Sequence, residues 1–222
     1  MTQNIKKKNS AKAAFELIKP NLNKDTVLGI GTGSTTNFFI DHLNESDIDI
    51  KGAVCSSISS EESLNKSIKV IGLNEVHLID FYIDGADEFN DRFELIKGGG
   101  GALTREKILA YSSDKFICIV DDSKHADLLG KFPLPIEVLE IARSAISRKI
   151  MKMGGRPVYR NGFITDNGNQ IIDIHNLPIE VPFELEEKIN NIPGVVENGI
   201  FSNRKADVII KAKEKDVEVL SL

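Results

Sequence analysis

The stretch VLGIGTGSTTNFFIDHL, residues 27–43, decides the fold. It begins as a short apolar run, passes through a turn rich in glycine and hydroxyl side chains, and continues with apolar residues at helical spacing. This order predicts a β-strand, a tight turn and an α-helix. Apolar runs at 53–54, 81–83 and 116–120 are each followed by a polar segment. Because these strands are continuous apolar runs that alternate with helical segments, they indicate a parallel sheet covered by helices on both faces.

Two further segments complete the first part of the chain. Apolar residues take up helical spacing from Ser10 onward, and Pro20 cannot continue a helix, so we expect the first helix to begin at Ser10 and end before Pro20. The apolar residues within 69–73 predict one more short strand.

The pattern changes near Lys131, where Pro133 and Pro135 mark a linker. The segments that follow are predicted as a strand at 136–141, a helix at 143–153, a strand at 157–159, a hairpin of 163–165 with 170–174, a helix at 183–191 and a strand at 195–199. This order is typical of a ferredoxin-like layer.

The last apolar runs, at 206–211 and 217–220, are expected to return to the first sheet. We therefore predict an α/β fold, in which a Rossmann-like parallel-sheet domain carries an inserted, smaller α+β (ferredoxin-like) domain. The catalytic α/β domain would comprise residues 1–130 and 203–222, and the inserted domain residues 131–202.

Composition narrows the classes of partner. The net charge is −5, with 28 basic against 33 acidic residues, and there is no long basic stripe, so we expect no nucleic acid partner. The longest uncharged stretch, 26–40, is too short and too polar to span a bilayer, and no apolar signal segment is visible near the N-terminus. Cys55 and Cys118 sit in apolar runs and are expected to be free thiols. We predict a cytoplasmic protein without a membrane partner.

Polar motifs follow several predicted strands, and ligands of parallel sheets bind beyond the carboxyl ends of the strands. The first is GTGST (31–35), whose glycines, hydroxyls and helix start suit a phosphate. It is not a P-loop, and Ser34 stands where a dinucleotide fingerprint needs a third glycine. A tight turn with a helix cap is the structural alternative.

The other motifs carry charge. DGADE (84–88) places three carboxylates after a strand, DDSK (121–124) ends in Lys124, and KGGGGALTREK (97–107) leads from Lys97 through four glycines to Glu106 near a helix start. Each motif also has a purely structural alternative. It is a solvated loop for DGADE, a flexible loop for the four glycines and a partner of the helix dipole for Glu106. The four histidines show no ligand spacing, so we predict no metal. Carboxylates and lysines without a nucleophile pair favour proton transfer next to a carbonyl, on a small sugar phosphate.

Seven blocks of the sequence resemble ribose-5-phosphate isomerase, type A. They are GTGST (31–35), DGADE (84–88), KGGG (97–100), LTREK (103–107), GKFPLPIEV (130–138), GGRP (154–157) and TDNGN (165–169). Together, in one order over nearly the whole chain, they are far more specific than any block alone.

The resemblance implies an aldose–ketose isomerase that interconverts D-ribose 5-phosphate and D-ribulose 5-phosphate through an enediolate, in the non-oxidative pentose phosphate pathway. It implies no cofactor, no metal and an oligomer, either a dimer or a tetramer, of which we expect the homodimer. By the same resemblance Glu106 is the general base and Asp84 the acid that opens the sugar ring. Asp87 and Lys97 would bind and stabilise the substrate and enediolate oxygens.

The resemblance also implies a wider set of substrate-binding residues. They are Thr32, Gly33, Ser34, Thr35, Asp84, Gly85, Ala86, Asp87, Lys97, Gly98, Gly99, Gly100, Lys124 and Lys7. The segment 32–35 is expected at the phosphate, which Lys7, in the run Lys6-Lys7-Lys8, would also reach.

Three other functions remain alternatives. One is an isomerase or deaminase of a related sugar phosphate, such as an amino sugar phosphate, and substrate choice would separate it. Another is a non-catalytic sugar-phosphate sensor, which has no need of Glu106 together with Asp84 and Lys97. The last is a dinucleotide-binding oxidoreductase, which the missing third glycine disfavours.

Overall fold

The computed structural model describes residues 2–64 and 68–222, which divide into two compact units. Unit 1 holds the described residues of Met1–Gly85, Ile108–Ser123 and Ala206–Leu222, and unit 2 holds Ala86–Lys107 and Lys124–Lys205. The helices and strands are, in chain order, α1 (Thr2–Ile18), β1 (Val27–Ile30), α2 (Ser34–Asn44), β2 (Gly52–Cys55), α3 (Ile58–Ser63), β3 (Ile79–Asp84), β4 (Glu88–Phe89), β5 (Leu95–Ile96), α4 (Leu103–Tyr111), β6 (Ser113–Asp121), β7 (Leu134–Val138), α5 (Arg143–Lys152), β8 (Arg156–Tyr159), β9 (Gln170–His175), α6 (Pro182–Asn190), β10 (Val195–Asn198), β11 (Ile200–Phe201), β12 (Val208–Ala212) and β13 (Val217–Ser221).

Unit 1 is built on a six-stranded sheet in the order β13-β12-β6-β3-β1-β2. Neighbouring strands from β2 to β12 run parallel, and β13 is antiparallel to β12. Every residue of β1 and β2 is buried, as expected for strands inside a covered parallel sheet. The predicted α/β fold with a Rossmann-like sheet is therefore confirmed, and the C-terminal strands return to this sheet as predicted.

Helices α1 and α2 cover part of this sheet. Phe15 of α1 and Phe39 of α2 pack edge to face, with ring centroids 6.4 Å apart, and both belong to the core that contains Leu28, Ile83 and Ile117 of the strands. This core holds the strand ends that carry the polar motifs in fixed positions.

The first helix is longer than predicted. It begins at Thr2 rather than Ser10, because its polar first half is held by side chains instead of an apolar face. Lys6 Nζ donates to Asp122 Oδ1 at 2.7 Å, and Lys7 Nζ donates to Ser34 Oγ at 2.9 Å. Lysine also has a good intrinsic helix propensity.

The strand predicted at 69–73 is wrong. Val70 forms one isolated bridge to Ala53, and Leu73–Glu75 then makes a single turn of 3-10 helix. The carboxylate of Glu75 accepts from the backbone N–H of Gly72 at 2.9 Å, so this segment turns instead of extending the sheet.

Unit 2 contains the elements β7-α5-β8-β9-α6-β10, whose strands form an antiparallel sheet in the order β10-β7-β9-β8. Numbered among these four strands in chain order, the order is 4-1-3-2, which confirms the predicted ferredoxin-like layer. Ile146 and Ile150 of α5 and Ile189 of α6 share a core with Ile136 and Ile172 of the sheet.

The boundaries of the two units differ from the predicted domain boundaries. Residues 86–107, 124–130 and 203–205 belong to unit 2, whereas the sequence prediction placed them in the first domain. The cause is a small second sheet in the order β11-β5-β4, which ties residues near 88 and 96 to Ile200–Phe201.

The predicted strand at 163–165 does not form, and β9 pairs with β8 instead. The segment 165–169 is a turn that closes on Thr165. Its hydroxyl accepts from the backbone N–H groups of Asn167 and Asn169 at 3.2 and 3.1 Å, and its own N–H donates to Asn169 O at 2.9 Å. These side chain–backbone bonds compete with the strand.

Two findings bear on the wider predictions. Cys55 and Cys118 are free and buried, and burial, with a smaller contribution from Glu61, raises the pKa of the Cys55 thiol to about 12. Within residues 2–64 and 68–222, none of the helices is both long enough and apolar enough to cross a membrane.

Candidate active site

Asp84 is the best-anchored predicted site residue of unit 1. It ends β3, and its carboxylate is fully buried. Oδ1 accepts from the backbone N–H groups of Thr32 at 3.0 Å and Gly85 at 2.7 Å, and more distantly from the Thr36 hydroxyl at 3.4 Å. Oδ2 accepts from the Tyr82 hydroxyl. A buried carboxylate is tolerated when donors of this kind satisfy its oxygens.

Gly31 explains why the first motif needs its glycine. A Cβ at this position would lie 2.0 Å from Asp84 Cγ and 2.1 Å from Asp84 Oδ1. The end of β1 and the Asp84 carboxylate are therefore in close contact, and only a residue without a side chain fits between them.

A cluster of buried hydroxyl groups lies beside this contact. Thr32 Oγ1 is 2.8 Å from Ser56 Oγ and donates to Ser57 Oγ at 2.8 Å, and Ser60 Oγ donates to Gly31 O at 2.5 Å. The substrate-binding set that the resemblance implies does not contain these three serines. Their signal was a serine-rich segment directly after β2, at the same edge of the sheet as residues 31–35.

The start of α2 forms the part of unit 1 that suits an anion. Gly33 precedes the helix with a φ of +115°, and the first turn, STTN, carries no acidic side chain. The N–H groups of a first turn have no partner within the helix and carry partial positive charge. Lys7 brings a full positive charge to this helix start, since its Nζ lies 2.9 Å from Ser34 Oγ.

The adjacent lysines face elsewhere. Lys6 pairs with Asp122 at 2.7 Å, and this hydrogen bond and charge raise the pKa of Lys6. Lys8 Nζ lies 5.3 Å from the centroid of the Phe38 ring. Of the run 6–8, Lys7 is thus the lysine that contacts the predicted phosphate-binding turn.

In unit 2 the central feature is a buried ion pair. Lys97 follows β5, and Glu106 lies in the first turn of α4. Lys97 Nζ is 3.3 Å from Glu106 Oε2, and the two side chains are 2% and 5% exposed. Lys97 Nζ also lies 5.5 Å from the centroid of the buried Phe201 ring. A carboxylate and an ammonium group are therefore held together out of bulk water.

Asp87 is attached to the glycine run that follows Lys97. The backbone N–H of Gly99 donates to Asp87 Oδ2 at 2.8 Å, and a Cβ on Gly99 would come within 2.8 Å of the same carboxylate. Gly99 and Gly100 are exposed, so this part of the backbone faces solvent.

The glycine run has a defined conformation that other residues would not adopt. Gly98 and Gly101 have φ values of +98° and +89°. A Cβ on Gly98 would meet Leu103 Cβ at 2.7 Å, and one on Gly101 would meet Phe163 Cζ at 2.2 Å. Both conformation and space therefore require glycine at these two positions.

The third carboxylate of DGADE has a different task. Glu88 is buried and accepts from the backbone N–H groups of Gly130 at 2.8 Å and Phe132 at 2.6 Å, so it fixes the loop before β7. Gly85 and Ala86 are half-buried links between Asp84 and Asp87. In the part of the chain that the structure describes, no group of three or more His, Cys, Asp or Glu side chains is placed to hold a metal ion.

Two further residues lie in or near these motifs: Lys124, which belongs to the predicted set, and Arg160, which does not. Lys124 ends the 3-10 turn Asp122–Lys124 and is half-buried. Arg160 was missed by the sequence prediction. It forms a bidentate pair with Asp173 at 2.5 and 2.8 Å and donates to Gly99 O at 3.2 Å, which braces the glycine run.

Comparison with known proteins shows which family this sequence and this structure resemble. The sequence model of the family described as ribose 5-phosphate isomerase A (phosphoriboisomerase A) matches residues 52–216. A solved ribose 5-phosphate isomerase A from Neisseria gonorrhoeae is 48% identical over 99% of this chain and 97% of its own, with a TM-score of 0.94.

Two further structures extend the likeness. A ribose 5-phosphate isomerase A from Methanocaldococcus jannaschii is 39% identical over 98% of each chain, with a TM-score of 0.90. A D-ribose-5-phosphate isomerase solved in complex with phospho-erythronic acid is 38% identical over 100% of each chain, with a TM-score of 0.93. All three likenesses extend over essentially the full length of both chains.

Proposed function

The chain belongs to the ribose 5-phosphate isomerase A family, and from this premise we propose which of its residues carry the reaction. It is an aldose–ketose isomerase that interconverts D-ribose 5-phosphate and D-ribulose 5-phosphate, a step of the non-oxidative pentose phosphate pathway. The sequence prediction of family and activity is confirmed. The observation that supports the residue assignment is the buried pair of Glu106 and Lys97.

Glu106 is the general base. The C1 carbonyl of the open-chain aldose acidifies the proton on C2, and the carboxylate removes it to leave an enediolate. The protonated carboxyl then returns a proton to C1, while the hydroxyl proton on O2 is lost and O1 gains one. A base shielded from water keeps this proton available for return. The 5% exposure of the Glu106 side chain supports the role.

Lys97 stabilises the oxygen on which negative charge develops. A fixed cation next to a developing oxyanion lowers the barrier most when it is already in place before the reaction. Lys97 is buried and held 3.3 Å from the base, which supports this assignment. Asp87, fixed by the Gly99 N–H, binds substrate hydroxyl groups beside it.

Asp84 assists the opening of the furanose ring. That step moves a proton from the hydroxyl on C1 to the ring oxygen and needs a carboxyl group in a fixed position. The two backbone N–H donors of Thr32 and Gly85 hold the Asp84 carboxylate in this way. Asp84 and Asp87 lie on one continuous stretch of four residues.

The substrate phosphate binds at the start of α2, with residues 32–35 and Lys7. The helix N-terminus, the Ser34 hydroxyl and the Lys7 charge together suit a dianion. The phospho-erythronic acid bound to the 38% identical relative is likewise a small phosphorylated molecule, which supports a phosphorylated ligand for this site. Gly85, Ala86, Gly98, Gly99, Gly100 and Lys124 complete the proposed contacts.

We further propose that the enzyme is a cytoplasmic homodimer. The two free, buried thiols fit a reducing compartment, and the family resemblance favours the dimer. Light scattering coupled to gel filtration should give twice the chain mass of 24.5 kDa, and a monomer mass would contradict the dimer.

A kinetic comparison tests the base. EDTA-treated protein is mixed with ribose 5-phosphate, and ketose formation is followed for wild type and Glu106→Gln. The variant should fold normally and lose about 100- to 10,000-fold in kcat, the typical worth of a positioned base. Near-normal turnover by Glu106→Gln would contradict the assignment. Inhibition by EDTA that an added metal reverses would contradict the predicted independence from metal.

A further inference from the structure

Glu137 is a fully buried carboxylate in unit 2 that no step of the reaction uses directly. It lies on β7, where a charged side chain is costly to bury unless donors surround it. Oε1 accepts from Thr165 Oγ1 at 2.8 Å and from Asn169 Nδ2 at 2.8 Å. Asn167 Nδ2 lies 3.2 and 3.3 Å from the two oxygens.

The remaining donor to Glu137 comes from the helix that carries the base. Thr104 donates its hydroxyl to Glu137 Oε2. Thr104 is the second residue of α4, which begins at Leu103, and its side chain points to Glu137. Thr104 is two residues before Glu106.

A second link joins the same helix turn to the same loop. Arg105 Nε donates to Asn167 Oδ1 at 2.8 Å, and Arg105 Nη2 donates to Asp166 O at 2.9 Å. Since Asn167 also contacts Glu137, the bonds form a closed circuit through Thr104, Glu137, Asn167 and Arg105. Of the two residues that immediately precede Glu106, Arg105 is thus anchored directly to the turn 165–169, and Thr104 is anchored to it through Glu137.

We propose that Glu137 is a positioning residue for the isomerase reaction: with the turn 165–169 it fixes the first turn of α4, and so sets the Glu106 carboxylate against Lys97. This inference rests on the proposed role of Glu106 as the base. It assigns a task to the TDNGN block, which supplies three of the donors to Glu137. We expect the effect on kcat and not on KM, because the circuit holds a reacting group and not a group that binds the substrate phosphate.

The test removes one hydroxyl without changing the shape of the side chain. Thr104→Val deletes the donor to Glu137, and Thr104→Ser restores it. Ser147→Ala is the matched control, because Ser147 Oγ donates to Arg143 O at 2.9 Å on another helix of the same unit. Displacement of a reacting group by about 1 Å costs on the order of 100-fold in rate. With the Arg105 link intact, we expect Thr104→Val to lower kcat about tenfold and to leave KM within about twofold.

A double variant separates positioning from stability. If Thr104 acts through Glu106, then Thr104→Val should cause no further loss of kcat in the Glu106→Gln background, since interacting residues are not additive. The inference is overturned if Thr104→Val lowers the unfolding temperature but keeps wild-type kcat, or if its tenfold loss persists in that background. Failure of the underlying assignment looks different: Glu106→Gln itself would then remain active.

Discussion

Gly31→Ala adds one methyl group at the most crowded point of the candidate site. The new Cβ would lie 2.0 Å from Asp84 Cγ, 2.1 Å from Oδ1 and 2.4 Å from Cβ of the same side chain. Carbon atoms in contact prefer a separation of about 3.5–4.0 Å, so the end of β1 or the Asp84 side chain must move by about 1.5 Å. Either movement disturbs the donors that Thr32 and Gly85 present to the carboxylate.

The size of the effect follows from two costs. Overpacking a filled interior costs about 1–3 kcal/mol. Leaving a buried carboxylate with a lost or lengthened hydrogen bond costs about 1–3 kcal/mol more. We therefore expect Gly31→Ala to lower the free energy of unfolding by about 2–6 kcal/mol. The folded fraction should also show a kcat/KM at least tenfold lower, because Asp84 no longer stands where the reaction needs it.

Urea unfolding and steady-state kinetics on ribose 5-phosphate measure the two quantities. Gly162→Ala is the matched control, since nothing lies within 4 Å of its Cβ position and its φ is +72°. It should cost about 1–2 kcal/mol of backbone strain and leave kcat/KM unchanged. If Gly31→Ala is no less stable than Gly162→Ala and retains wild-type kcat/KM, the close contact with Asp84 does not hold and the reasoning fails.

Two further predictions concern charged groups. Lys7→Ala should raise KM for ribose 5-phosphate about tenfold or more with little change in kcat. The control variant Lys6→Ala should leave KM within about twofold. A loss of kcat at unchanged KM in Lys7→Ala would argue against phosphate binding by Lys7. Burial by itself raises the pKa of Glu186, but the charge and hydrogen bond of Lys107, with bonds from Ser202 and Asn203, outweigh it and hold this pKa below its usual 4.5. A lowered carboxylate pKa stabilises the fold above the usual value and loses that contribution as pH falls through the folded value. The stability difference between wild type and Glu186→Gln should therefore shrink below pH 4.5, and a difference that grows on acidification would refute this.

The fold was predictable because its strands have a distinct sequence pattern. Continuous apolar runs at 27–30 and 116–120 become buried parallel strands, and polar motifs at their ends mark the sheet edge. The extra turns of α1 were not predictable, since Lys6 and Lys7 are held by residues 116 and 27 positions away in the chain. A helix stabilised by long-range side-chain bonds has no local periodic signal.

The candidate site was also predictable only in part from the sequence. Lys97 and Glu106 are close in sequence, so a motif can suggest both, and the structure places them 3.3 Å apart. Glu137 gave no such signal. Its donors come from Thr104 and from the turn 165–169, which lie about 30 residues before and after it, and that turn had been predicted as part of a hairpin. Partners of a buried carboxylate become visible only when the chain is folded.

The most direct measurement is proton exchange at carbon. Wild type and Glu106→Gln are incubated with ribose 5-phosphate in D2O, and NMR follows deuterium at C1 of the ketose and C2 of the aldose. If Glu106 removes and returns this proton, wild type converts the aldose to the ketose, with deuterium at C1 only where the proton on the carboxyl exchanges with solvent before its return, and Glu106→Gln shows neither conversion nor carbon-bound deuterium above the enzyme-free sample. Conversion by Glu106→Gln at the wild-type rate would contradict the account.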